Sequence, residues 1–156
     1  MRILIATDGS EYSNAAVEEC CNFIVIPEGA EIRVMSVFEE AYALAGEPVA
    51  LSPEFYQELS DAAKDRAAGA ARTASGLLQQ KLGNVKLDVK EVVCNGPPQI
   101  EIVEMAKEWK ADLIIVGSHG RGFWGRLLGS VSDAVVHHAP CSVLVVRHGP
   151  KQHTSR

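Results

Sequence analysis

Apolar positions along the chain switch repeatedly between a strand period and a helix period. Residues 2–7 (Arg-Ile-Leu-Ile-Ala-Thr) are a short β-branched run closed by the turn cluster Asp8-Gly9-Ser10. From Ser13 the spacing becomes helical: Ala16, Cys20, Phe23 and Ile24 fall at i, i+4, i+7 and i+8, until Pro27-Glu28-Gly29. Ala30 to Phe38 reads as a second strand, and residues 39–53, with Gly46, Pro48, Pro53 and no period, read as a loop. An Ala-rich helix is predicted over about residues 54–81, with Phe55, Leu59, Ala63, Ala70 and Leu77 near one face. Gly69 and Gly76 each weaken it by about 1 kcal/mol relative to Ala and mark where it could bend. Val85 to Val93 alternates as a third strand. After Asn95-Gly96-Pro97-Pro98, the residues Ile102, Met105, Ala106 and Trp109 mark a helix. Asp112 to Val116 is a compact apolar strand, expected to be covered on both faces. A glycine-rich stretch, Gly117 to Gly129, leads to a short helix from Ser130 to about His138, a break at Pro140, and a last strand, Cys141 to Val146.

The order β-α-β-α-β-α-β-α-β demands right-handed crossovers and gives an α/β fold, a mostly parallel sheet between helices. Such sheets bind ligands beyond the carboxyl ends of their strands, where the strand order reverses. Two loops at such ends draw attention: Thr7-Asp8-Gly9-Ser10 and the glycine stretch. The chain has no internal repeat, so one domain over 1–148 is expected, with a polar tail at 149–156 that frays.

Composition narrows the function classes. The 156 residues carry 15 Lys+Arg against 20 Asp+Glu, a net charge of −5, which argues against a nucleic-acid or anionic-membrane footprint. No apolar run approaches the roughly 18–20 residues of a membrane span. The N-terminus enters a strand directly, without a signal peptide's apolar region and cleavage site, so a cytoplasmic location is expected. Cys20, Cys21, Cys94 and Cys141 lie in apolar segments without C-x-x-C spacing, as reduced buried thiols would.

The glycine stretch carries the chemistry. Gly117, Gly120, Gly122, Gly125 and Gly129 let a backbone approach a ligand closely, and the segment holds Arg121 and Arg126 with no acid before Asp133. It feeds a helix N-terminus at Ser130, where N–H groups and the dipole favour an anion. These features describe a phosphate cradle; the plainer alternative is a tight turn with Ser130 capping the helix. Gly120-x-Gly122-x-x-Gly125 matches the dinucleotide fingerprint formally but follows the fourth strand, with no acid on the next one for a ribose. Walker A spacing fails because Arg126-Leu127 replaces Lys-Ser/Thr. A phospho-receiver domain needs an aspartate after its third strand, where Val93-Cys94-Asn95 has none. His137, His138 and Cys141 are near in sequence, but a helix end and a strand aim them apart.

The opening Ile3 to Ser10 and the closing Gly-Ser-His-Gly…Gly-Ser-Val-Ser…His-Ala-Pro-Cys-Ser-Val-Leu-Val-Val run resemble the universal stress protein family, over nearly all of Arg2 to Arg147. The resemblance implies an open five-stranded parallel sheet with helices on both faces and strand order 3-2-1-4-5. It also implies ATP binding, with at most slow hydrolysis, through Gly, two residues, Gly, nine residues, then Gly-Ser or Gly-Thr. Gly117, Gly120, Gly129 and Ser130 match, but eight residues, Arg121 to Leu128, stand where the family has nine. Either the arch of the loop absorbs the missing residue, or the helix start shifts and its N–H groups point elsewhere. Carried over, Asp8 is the acid near ribose, phosphates and any Mg²⁺; its alternative is a turn aspartate capping the first helix. Val37 is the position whose backbone meets adenine; its alternative is core packing. Gly117, Gly120, Gly129, Ser130 and Ser132, with Val131 between them, correspond to phosphate and ribose contacts. Arg121 adds charge or is solvated, and His119 belongs to the motif although a neutral imidazole is a poor anion clamp. A second reading keeps the fold but binds no nucleotide, as an interaction module for a protein partner. A homodimer through the last strand is also implied, and Val145→Lys tests it if that side chain faces the partner.

Overall fold

In a computed structural model the chain is described over residues 1–40, 52–118 and 128–147. Five strands, β1 (Arg2–Ala6), β2 (Glu31–Phe38), β3 (Asp88–Asn95), β4 (Leu113–Gly117) and β5 (Ser142–Val146), form one sheet in the order β3-β2-β1-β4-β5. Every pairing is parallel. Four helices connect them: α1 (Glu11–Phe23), α2 (Pro53–Leu82), α3 (Pro98–Trp109) and α4 (Ser130–His138). The expected α/β fold and strand order are therefore observed.

The pleat sorts the core into two layers, because successive side chains of a strand point to opposite faces. Ile3, Ile5, Ile32, Val34 and Ile115 meet Ala16, Val17 and Cys20 of α1 and Ala71, Ala74 and Leu78 of α2. Leu4, Met35, Ile114 and Val116 meet Ile102 and Ala106 of α3 and Val135 of α4. Arg33, on that second face, lies over the Trp109 ring with its guanidinium carbon 4.4 Å from the ring centroid.

Several boundaries differ from the sequence expectation for identifiable reasons. The third strand starts at Asp88 and not Val85, because its only partner, β2, begins at Glu31, opposite Asp88. Val85 instead donates its N–H to Leu82 in the turn after α2, 2.8 Å away. The buried face of α2 is Ala67, Ala70, Ala71, Ala74, Ser75 and Leu78, whereas Phe55 and Leu59 are exposed. Thirty residues of helix reach about 45 Å, while an eight-residue strand spans about 26 Å, so the N-terminal turns of α2 overhang the sheet. The helix is continuous through Gly69 and Gly76. Only Cys20 of the four free thiols is buried; the others are half-buried. Val145 is half-buried with its side chain packed against the second core layer, so a lysine there would also disturb that packing. Of the predicted loop 39–53, residues 41–51 lie outside the described residues, as does the tail 149–156, and Pro53 is already the first residue of α2.

Because a methyl group added at Gly76 meets nothing within 4 Å, Gly76→Ala is expected to stabilise by about 0.5–1 kcal/mol. Thermal denaturation should rise by roughly 2–4 °C; an unchanged or lowered midpoint would show that the glycine serves the native packing.

Candidate functional site

Because the sheet is parallel, the carboxyl ends of all five strands lie along one edge. The β1 connection passes to one face and the β4 connection to the other, which opens a crevice between them. The β1 loop and the described ends of the glycine stretch, Gly117-Ser118 and Gly129, flank this crevice.

The β1 loop is built by hydroxyl groups. Thr7 extends the sheet by donating its N–H to Met35 (2.9 Å). Its Oγ1 accepts from Gly9 N–H at 3.1 Å and lies 3.0 Å from Ser13 Oγ. Ser13 spends its own hydroxyl proton on the Ser10 carbonyl at 3.0 Å, which leaves Thr7 as the donor between the two. Gly9 has φ +72°, a conformation that favours glycine. Ser10 is the N-cap of α1, its Oγ accepting from Ser13 N–H at 3.2 Å. Asp8 does not cap the helix: its Oδ1 accepts from Ser10 N–H at 3.0 Å, an Asx turn that keeps the exposed carboxylate at the crevice edge. Thr7, Ser10 and Ser13 are all buried. The sequence pattern placed Thr7 in this loop but assigned its hydroxyl no role, and it marked Ser13 only as the start of a helical pattern.

Across the crevice, Gly117 ends β4 and Ser118 continues toward β5 by donating its N–H to Val146 (2.9 Å). The Ser118 carbonyl then accepts from Gly129 N–H at 2.8 Å and from Ser132 Oγ at 3.1 Å. Ser132, buried at 3% exposure, also reaches the Gly129 carbonyl at 3.0 Å. The glycine loop is therefore tied at its base, entrance to exit. Gly129 is the N-cap of α4 and Ser130 its first residue, so Ser130 is not the cap, and no side chain caps this helix. The helix starts at the expected residue, and the one-residue difference from the family spacing falls between the two tied ends. His119, Gly120 and Arg121 lie outside the described residues, while Val131 is half-buried against the second core layer.

The remaining wall is the end of β2 and β3. Val37 pairs with Cys94, and its side chain packs in the second layer, which leaves its backbone at the strand end. Phe38 accepts from Gly96 N–H at 2.9 Å, and Asn95 Nδ2 donates to Glu40 Oε1 at 2.7 Å. No local pattern signals this Asn95–Glu40 contact, which joins positions 55 residues apart. Among the described residues no group of three His, Cys, Asp or Glu side chains could hold a metal ion. His137 and His138 instead bond the carbonyls of Asp133 and Ala134, each at 2.8 Å. No helix of the described residues is long and apolar enough to cross a membrane.

Comparison with known proteins agrees with this geometry. The model of the family described as universal stress protein family matches residues 1–147. A universal stress protein of Synechocystis sp., Sll1388, is 31% identical over 94% of this chain and 97% of its own length. Universal stress protein A homolog 2 of Coxiella burnetii is 56% identical over a shorter stretch, 36% of this chain and 39% of that protein. Among solved structures, the protein MJ0577 of Methanocaldococcus jannaschii has a TM-score of 0.76 and 28% identity, over 96% of this chain and 97% of that one. A universal stress protein solved in complex with cAMP has a TM-score of 0.61 at 25% identity, over 94% and 95% of the two chains. A tied glycine loop at the switch point and a family match running from β1 through β5 lead to one assignment: the chain belongs to the universal stress protein family.

Proposed function

We propose that the crevice binds an adenine nucleotide, ATP in the first instance, and that the protein acts in the cytoplasm as a nucleotide-dependent stress or signalling component. The observation that carries this reading is the start of α4. Ser10 and Ser52 cap α1 and α2 through their hydroxyls, whereas neither α3 nor α4 has a side-chain cap. α3 begins on Pro97-Pro98, which carry no N–H to offer, while α4 begins on Gly129, beside the tied ends of the glycine stretch and facing the crevice. Backbone N–H groups and a helix dipole in that position favour a phosphate. A relative of 25% identity solved with cAMP supports the adenine nucleotide class.

In this reading Gly117, Gly129, Ser130 and Val131 present backbone to the phosphates and Ser132 fixes the loop base. The Val37 backbone meets the adenine. Asp8 faces the ribose and phosphates, and it would be the protein's contact to a Mg²⁺ whose other ligands are phosphate oxygens and water. His119, Gly120 and Arg121 enter on the family motif alone. No catalytic residue is assigned. We further propose a homodimer through β5, which among the described residues pairs only with β4 and so presents an edge that a second copy would satisfy about a twofold axis.

With ATP at about a hundredfold over its dissociation constant, linkage gives roughly 2.7 kcal/mol, a thermal shift of order 5–10 °C. Titrations with ATP, AMP and cAMP, each with and without Mg²⁺, rank the ligands. No shift with any of them would favour the interaction-module reading.

Gly120→Val and Gly129→Val are expected to abolish that shift while the ligand-free melting temperature stays within a few degrees, since Gly129 caps α4 outside the two core layers and Gly120 belongs to the glycine motif and not to an apolar segment. Undiminished affinity in both variants would place the phosphates elsewhere.

Light scattering at high micromolar concentration should read twice the 16.8 kDa of one chain. A monomer mass under those conditions overturns the dimer.

A further inference from the structure

The four thiols have different neighbours. Cys20 and Cys21 are consecutive near the end of α1, far from the crevice because the helix runs back toward the opposite edge of the sheet. Both sulfurs lie against one carbonyl, that of Val17, at 3.1 and 3.3 Å. Cys20 is fully buried in the first core layer, and Cys21 is half-buried beside it. The charged groups at Cys21 come from two elements. Lys81, in the last turn of α2, holds its Nζ 3.7 Å from Glu18 of α1, and both act on Cys21. Cys94 instead stands beside Glu101, and Cys141 beside Asp112.

We propose that Cys20 and Cys21 form a vicinal-dithiol oxidation site for hydroperoxides, in which Cys21 attacks and Cys20 resolves. The Cys21 thiolate attacks the terminal peroxide oxygen and the O–O bond breaks. Sulfur gains that oxygen as a sulfenic acid and is oxidised by two electrons. The alkoxide or hydroxide leaving group takes a proton and departs as alcohol or water. Cys20 sulfur then attacks the sulfenic sulfur, and the hydroxyl leaves with the Cys20 proton as water. The balance is two thiols and one hydroperoxide to one disulfide, one alcohol (or water) and one water.

The surroundings favour this division of labour. Interaction with the adjacent Cys20 thiol, joined by Lys81, holds the Cys21 thiol below its ordinary value against desolvation and Glu18. The same interaction and burial push Cys20 up. Burial, with Glu101 and Asp112, pushes Cys94 and Cys141 up. The product reverses readily. Adjacent Cα atoms are about 3.8 Å apart, short of the roughly 4.4–6.8 Å usual for a disulfide. The ring must therefore draw its peptide out of helical geometry and open the bond from Ile24 N–H to the Cys20 carbonyl. Strained disulfides of this kind are the easily reduced ones.

The test uses the full chain at pH 7 with hydrogen peroxide near stoichiometry, followed by tryptic mass mapping, in which peptide Ile3–Arg33 contains Cys20 and Cys21 alone. Expected is loss of two hydrogens on that peptide, restored by dithiothreitol. Thiolate gained at Cys21 outweighs the intrinsic nucleophilicity lost with it, so iodoacetamide should label Cys21 several-fold faster than Cys94 or Cys141. Cys20→Ala should leave a sulfenic acid at Cys21 that dimedone traps. Should that variant fail to fold, Lys81→Gln, at a partly exposed site, should slow Cys21 labelling several-fold with the circular dichroism unchanged. First reaction at Cys94 or Cys141, or progress of Cys21 to sulfinic acid without a disulfide, overturns the proposal. The site lies at the opposite sheet edge from the nucleotide crevice, so neither reading depends on the other.

Discussion

The structure depends on β1 being buried on both faces and paired on both sides. Ile3, Leu4 and Ile5 are each at most 1% exposed, and the strand is hydrogen-bonded to β2 on one side and β4 on the other. A strand in the middle of a parallel sheet requires covering helices above and below, since connections between parallel neighbours must cross over a face. With right-handed crossovers, moving outward from β1 to β2 and β3 puts α1 and α2 on one face. Restarting beside β1 with β4 and β5 puts α3 and α4 on the other. The crevice is a consequence of that reversal.

The two walls of the crevice are stabilised by different means. The β1 loop is held by buried hydroxyls bonded to neighbouring backbone and to one another, which satisfies the start of α1 internally. Among the described residues the β4 side is held by the Ser118 carbonyl, which accepts from both Gly129 and Ser132. Because Ser118 and Gly129 are bonded to each other, the start of α4 is set by that bond and not by the number of residues between them. The family's nine-residue spacing and this chain's eight are compatible with the same α4 start for that reason.

The long α2 shows how far helical periodicity can be trusted. Its alanines, Ala67, Ala70, Ala71 and Ala74, seat the helix closely on β2 and β3, and small side chains carry a weak hydrophobic signal. The larger Phe55 and Leu59 dominate the pattern but fall where the helix has passed the end of the sheet. Burial follows the reach of the underlying strands, which no window of α2 contains.

The sequence by itself determined the order of elements, the parallel sheet, the start of α4 at Ser130, the β1 loop and the glycine stretch whose described ends flank the crevice. These follow from local periods, from glycine and proline chemistry, and from a crossover rule that leaves few topologies. The family motif added the strand order that the structure displays. Tertiary structure alone decided where β3 begins, which face of α2 is buried, that Asp8 braces a turn while Ser10 caps the helix, and that Val145 packs against the second core layer. It also decided the partners of Ser118 and Asn95 and the placing of Lys81 beside Cys21. Each depends on groups distant in the chain that meet only after the sheet forms, and no local pattern encodes their distance or direction.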